Sequence, residues 1–386
     1  MAASIRNTTI DFWRGLVLLI IFVNHIPGNL IEHITPRNFG FSDSTEAFIF
    51  ISGLSVALVY GPRLPQGDLF SVVKQCLQRA FKLYRVHLAL TAGAIALFSI
   101  GYELSEEIGL IEEHGRSAVF GDTARGVTGI ILLGHQLGYF NILPLYIALM
   151  FWAPVALILA RVHVGLALLV SGAVYVLARM GIATLHSWPE PGTWFFNPFA
   201  WQFLFTCGIV TGILMLEKPI PYNRALAMTA LGVVALSFVA LTAGFGLFPW
   251  LQEIAFAKLD LVKHDLGLVR IVHFLALAYL LTQFRIGAAL KTTSLGPDLI
   301  RLGQNSLTIF AVGSLLSALG QVVMTLAAVK SSASPQIIGM VFTILGIIGL
   351  LALARYLGWN KNNLAARQRG QAKGLELSAS SGRLSS

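Results

Sequence analysis

Asp11-Phe-Trp-Arg14-Gly-Leu-Val-Leu-Leu-Ile-Ile-Phe-Val-Asn24-His25-Ile-Pro27-Gly28-Asn29 forms the first apolar stretch of the chain. Arg14 lies at its start and His25 about two-thirds of the way in, with ten residues between them. A His and an Arg on one lipid-embedded helix are costly unless they face a polar cavity, so such residues mark a functional site by default. The rest of the chain supports the membrane reading. Of 386 residues, 56% are hydrophobic and only 12% charged, half the roughly 25% of a soluble protein, and mean hydropathy is +0.74. Apolar stretches of about 20 residues recur, which predicts one all-α polytopic membrane domain over residues 1–356. A polar, Ser/Gly-rich cytoplasmic tail over 357–386 reads as disordered.

The net charge of +9 does not point to nucleic acid. The basic residues fall in short loops and in the tail, as the positive-inside rule requires. Two cysteines, Cys76 and Cys207, and nine scattered histidines make no metal set. No small-residue cleavage site follows the first apolar stretch, so it reads as an uncleaved span.

About ten spans are predicted: Phe12–Ile31, Thr45–Tyr60, Val86–Gly101, Ile142–Ala160, Val164–Ala183, Phe199–Leu216, Ala225–Leu247, Val269–Phe284, Ser306–Ala327 and Gln336–Tyr356. Thr128–Phe140 is apolar but short and reads as a re-entrant or interfacial segment. Arg63, Lys74, Arg79, Lys82 and Arg85 separate spans two and three, and further basic residues follow spans six, eight and ten. All fall on one side if both termini share it, and that side is the cytoplasm. The opposite segments are acidic (Glu103, Glu106, Glu107, Glu112, Glu113) or aromatic: His186-Ser-Trp188-Pro-Glu190-Pro-Gly-Thr-Trp194-Phe-Phe-Asn197-Pro198. The aromatic segment suits a membrane-surface anchor and also a carbohydrate platform.

His25 is eleven residues beyond Arg14 and therefore about 16 Å deeper, close to the same helix face. One face presents a cation near the cytoplasmic mouth and an imidazole farther in. That suits an elongated anionic substrate; a snorkelling Arg and a packed His are the plainer alternative. Asp43 and Glu46 are spaced i, i+3 at the outer start of span two. They fit helix capping, and also a carboxylate that orients His25. Lys82, Arg85 and His87 at the inner start of span three fit either anchoring or phosphate binding. Asn197, Trp201 and Gln202 open span six and are candidates to line the outer cavity; Asp11, Asn24 and Ser52 are further candidate cavity-lining residues. No nucleophile elbow, P-loop, Rossmann glycine pattern or zinc-protease motif occurs.

The run Asp11-Phe-Trp-Arg14-Gly, Asn24-His25-Ile-Pro-Gly-Asn29, Phe39-Gly-Phe-Ser-Asp43 with Glu46, Ser52-Gly53 and Asn197-Pro-Phe-Ala-Trp-Gln202 resembles the OpgC family. Its members are bacterial inner-membrane proteins that succinylate osmoregulated periplasmic glucans, within the acyltransferase-3 type of membrane acyltransferases. Arg14 and His25 match that superfamily's Arg-x10-His signature. Lys82-x-x-Arg85 stands where it often carries Arg-x-x-Arg, and a Lys lacks the bidentate fork. The resemblance implies about ten helices around a central acyl-transfer cavity. It also implies an acyl-coenzyme A co-substrate, succinyl-coenzyme A by analogy, held by Arg14, Lys82, Arg85 and His87, with no bound cofactor or metal. A periplasmic glucan would be the acceptor, with His25 as general base or transient acyl carrier and Asp43 or Glu46 orienting it. Rival readings are an acetyltransferase for another envelope glycan, a glucan exporter and a structural scaffold. The acyl group, the acceptor and the oligomeric state are open at this level.

Overall fold

Asn7 starts the first helix by accepting from the Thr9 and Ile10 backbone N–H groups at 3.0 and 3.3 Å, so two donors of the first turn are satisfied. In the computed structural model, which describes residues 7–66, 68–247, 250 and 259–382, this helix, α1, runs Thr8–Asn24. The expected span to Ile31 is too long. Pro27 cannot continue a helix, Gly28 turns left-handed with φ +84°, and His25 caps α1 rather than lying inside it. Two short 3-10 turns, Leu30–Ile34 and Pro36–Asn38, then lead to α2, Ser44–Tyr60.

α2 begins with a reciprocal capping box. The Asp43 side chain accepts from the helix N-terminus, and the Glu46 carboxylate accepts from the Asp43 N–H at 2.8 Å. The third expected span is part of a longer element, α3, Leu69–Ser105. Its 37 residues reach about 55 Å, so Lys74, Arg79, Lys82 and Arg85 lie on helix and not in a loop. Three short helices follow, α4 (Gly109–Glu112), α5 (Ser117–Gly121) and α6 (Thr123–Ile131). The segment expected to be re-entrant is the end of α6 plus the loop leading to α7, Ile142–Val162.

Next come α8 (Val164–Arg179), α9 (Pro198–Glu217) and α10 (Arg224–Val239), the last continued by a π turn over Ala240–Gly244. After the short helix Phe245–Leu247, the described residues continue with α11 (Leu268–Gln283), α12 (Ile286–Leu290), α13 (Gly296–Gln304), α14 (Ser306–Lys330) and α15 (Pro335–Gly382). The backbone of the expected tail thus extends the last helix to Gly382; residues 383–386 lie outside the described residues. Among the described residues there is no β-strand, only a single bridge between His186 and Thr193.

Among the described residues, seven helices are long and apolar enough to cross a membrane: Ser44–Leu64, Leu69–Ser105, Ile142–Val162, Pro198–Glu217, Arg224–Ala243, Ser306–Lys330 and Pro335–Asn360. The other three predicted spans correspond to shorter helices, α1, α8 and α11. α1 packs against α2, α13 and α14, and α2 lies closely along α9. Glycine makes both closest approaches. A Cβ on Gly53 would collide with the Phe205 carbonyl, and one on Gly208 with the Phe50 carbonyl. Gly15 meets the Leu299 carbonyl and Gly303 the Asp11 carbonyl in the same way. Small residues that let helix backbones touch are the usual packing device where lipid offers no hydrophobic driving force.

Candidate active site

Because α1 stops at Asn24, the His25 ring projects from the helix end into a cavity of about 500 Å³. The walls come from the α1 and α2 ends, the start of α7 and the loops around Arg37, His114–Gly115, His135–Asn141 and Ser187–Phe196, with Lys263 beside them. The His25 carbonyl accepts from Gln321 Nε2 at 2.8 Å, which fixes its backbone. Its imidazole makes no hydrogen bond among the described residues and instead packs on Tyr139, ring centroids 5.1 Å apart. An imidazole with both ring nitrogens uncommitted can take a proton from a ligand. Asn24, beside it, accepts from Thr35 Oγ1 at 2.8 Å and holds the turn that closes the cavity.

Asp43 shares the cavity wall with His25, and Glu46 does not. Glu46 is fully buried behind it, bonded to Arg270 at 2.6 Å. Asp43 accepts from Lys263 Nζ at 2.6 Å and from the Thr45 N–H at 2.7 Å, with Arg270 at 3.4 Å. No hydrogen bond joins either carboxylate to His25. The expectation that one of them grips the imidazole is replaced by a four-member cluster of two carboxylates and two cations that shapes the wall. Burial alone would push the Asp43 carboxyl up, but Lys263 and Arg270 outweigh it and hold the group below the usual carboxylate range.

At the other end of α1 a second cavity of about 260 Å³ is lined by Arg14, Ser52, Ser55, Arg79, Leu83 and Ser306 among others. Arg14 donates to Asp11 Oδ1 at 3.2 Å and to Ser55 Oγ, while Arg79 stands over the Tyr146 ring at 6.0 Å. The two cavities share no lining residue, yet they lie on the same helices. Thr45 and Ile142 face one, and Phe48 and Leu143, within a turn of them, face the other. On the wall of the second cavity Phe48 meets Tyr146 and Phe310 with centroids 5.8 and 6.2 Å apart.

Several expected site residues are elsewhere. Lys82 and Arg85 are exposed and line neither cavity; Arg85 lies over Phe81 at 5.0 Å. The buried face of α3 carries Cys76, Ala80, Leu83 and His87, so Arg79, one turn before Lys82, borders that face. His87 is 1% exposed, with both ring nitrogens unpartnered among the described residues, and borders no cavity described above. Asp11 pairs with Arg14 and lines neither cavity. Asn197, Trp201 and Gln202 are buried structural groups. Asn197 caps α9 and bonds to Asp265 at 2.9 Å, Trp201 Nε1 donates to the His264 carbonyl at 3.1 Å, and Gln202 bonds with Ser171. Asn197 and Trp201 hold the loop around 263–265 against α9, which places Lys263.

Arg37, Lys263, Arg270, Tyr139, Gln136 and Arg79 are functional candidates that the sequence pattern does not single out as site residues. Lys263 and Arg270 did carry a signal, two cations bordering an apolar span on the side where few cations are expected. Tyr139 carries none, because its left-handed backbone (φ +69°) is invisible in sequence.

The chain matches the family model described as OpgC protein over residues 6–362, nearly its whole length, and belongs to that family. No curated protein matches it.

Proposed function

We propose that this protein is a membrane acyltransferase that moves an acyl group, succinyl by family analogy, from cytoplasmic acyl-coenzyme A to hydroxyls of a periplasmic glucan. The observation that carries this reading is the pair of cavities on shared helices, one with an uncommitted imidazole and the other with two arginines. In this reading the bundle has ten spans in the inner membrane. Both termini are cytoplasmic, so the Arg14 cavity opens inward and the His25 cavity outward. Arg14 and Arg79 take the donor's phosphates, guanidinium being the better partner for them, and the donor's arm passes the Phe48 side chain to bring the thioester to His25.

His25 accepts the proton of a sugar hydroxyl as the oxygen attacks the thioester carbonyl. The carbon–sulfur bond then breaks, and the imidazolium returns the proton to the departing thiolate. One ester and one thiol form from one thioester and one hydroxyl, with no net proton change. The Asp43–Lys263–Arg270–Glu46 cluster keeps the wall in register without sharing that proton. Mass spectrometry of periplasmic glucans from a host lacking the gene, complemented with wild type or His25→Ala, tests the reading. A succinyl increment with wild type is expected to vanish with the variant, since removing a general base costs about 10²–10⁴ in rate. Full modification by His25→Ala, or unmodified glucan in both strains, overturns it.

A further inference from the structure

Lys82 and Arg85 line neither cavity, yet they do not stand alone on α3. Between Ala47 and Tyr102 the chain carries Arg63, Lys74, Arg79, Lys82 and Arg85 but a single carboxylate, Asp68. Two of these cations are spent inside the fold, Arg63 on Gln75 and the Tyr60 ring, and Arg79 on the Tyr146 ring. Lys74, Lys82 and Arg85 are exposed and make no hydrogen bond or ion pair among the described residues, and Asp68 pairs with none of them. Like charges on one helix face repel, so this set is unfavourable until an anion meets it.

Two contacts fix the depth of this face. Arg63, just past α2, donates to Gln75 of α3, and Arg161, in the last turn of α7, donates to the Leu64 carbonyl. α2 and α7 therefore end level with Gln75. Arg85 is about 15 Å along α3 from there, so Leu77–Arg85 lies just inside this end of the bundle, and Phe70 and Lys74 just outside it. That is the depth of a headgroup layer, where long basic side chains reach outward from the apolar zone. Beside the cations run Phe70, Leu77 and Phe81, which are 81%, 45% and 58% exposed. At about 100° per residue these three lie within about 40° of one another, with Lys74, Arg85 and Lys82 following on one flank. The Arg85 guanidinium lies over the Phe81 ring at 5.0 Å, at the seam between the two stripes. A soluble anion matches the cations and leaves the rings in water. A neutral lipid matches the rings and leaves the cations uncompensated. An anionic phospholipid satisfies both, as it does for basic amphipathic faces in general.

We propose that this face of α3 binds an anionic phospholipid, with Lys74, Lys82 and Arg85 holding the negative charge of its headgroup and Leu77 and Phe81 meeting its acyl chains. The test extracts the full-length protein from vesicles of phosphatidylethanolamine and phosphatidylglycerol in equal parts and counts the lipids it retains in detergent by native mass spectrometry. Wild type is expected to retain phosphatidylglycerol in preference. Arg85→Gln is expected to cut that preference about fivefold, the worth of one basic residue at an anionic surface, and Arg85→Lys to keep it. The triple variant Lys74→Gln/Lys82→Gln/Arg85→Gln is expected to abolish it. All three side chains are exposed, so the thermal midpoints in lipid-free detergent are expected to match wild type; the single variant decides the matter if the triple does not fold. Equal retention of both lipids by wild type overturns the site, and so does an undiminished preference in the variants. An equal loss in Lys218→Gln/Arg224→Gln, which removes exposed cations at the junction of α9 and α10, also overturns it by reducing the effect to net charge. Release of the retained lipid by coenzyme A does the same, since the donor's phosphates would then be the occupant. None of these readouts involves acyl transfer, so the site stands or falls apart from the proposed reaction.

Discussion

At the scale of single residues, Asp43 shows how one side chain serves two structures. Its carboxylate caps α2 and also receives Lys263 across 220 positions of sequence. Because its native pKa is depressed, the bonds contribute stability that is fully present above the unfolded value of about 3.9 and lost as pH falls from there through the native value. Asp43→Asn removes the charge and with it this dependence. The variant is expected to unfold more easily at neutral pH, by about 1.5–3 kcal/mol for a charge-assisted hydrogen bond, and the gap to wild type is expected to close on acidification. Thermal unfolding of both proteins across pH measures this, and a gap that stays constant down to strong acid would refute it. Arg14 and His25 were legible in the sequence because ionisable residues stand out in an apolar run. The partners of Asp43 and Glu46 were not, since nothing local ties position 43 to 263 or 46 to 270.

At the scale of elements, a helix face decides which cations matter. Lys82 and Arg85 stood out as a spaced pair at the expected start of a span, yet α3 begins at Leu69. With the true helix in hand, Cys76, Ala80, Leu83 and His87 define the buried face, and Arg79 at its border reaches the Arg14 cavity while the other two point away. The span limits failed here for a physical reason. Hydropathy finds the apolar core of a helix, and a basic amphipathic extension beyond the bilayer reads as a loop. Arg79→Gln is therefore expected to raise the KM for acyl-coenzyme A by about tenfold to a hundredfold, the worth of a charge-assisted phosphate contact. Lys82→Gln and Arg85→Gln are expected to change it by less than about twofold, as exposed charges do. Steady-state kinetics on the purified variants decide it; a larger effect at Lys82 or Arg85 than at Arg79 would return the donor site to the exposed face.

At the scale of the whole molecule, the chemistry depends on which cavity faces which compartment. The sequence carried the orientation only as a bias of charge: basic residues near Arg79 and after the last apolar stretch, acidic ones between Glu103 and Glu113. The fold sharpens what is at stake, since the arginine cavity and the imidazole cavity share helices but no lining residue. An acyl-coenzyme A made in the cytoplasm can use the arginines only if that cavity opens inward. Glu112 and Gln78 are exposed positions on the two opposite segments, and the native cysteines are buried or partly so, which leaves little background for thiol labelling. A membrane-impermeant maleimide is expected to modify Glu112→Cys in intact spheroplasts and Gln78→Cys only after permeabilisation. The reverse pattern would put the arginines on the periplasmic side, out of reach of the donor. The proposed transfer would then fail whatever His25 does, because a base at the acceptor's hydroxyl is useless without a thioester delivered from the opposite face.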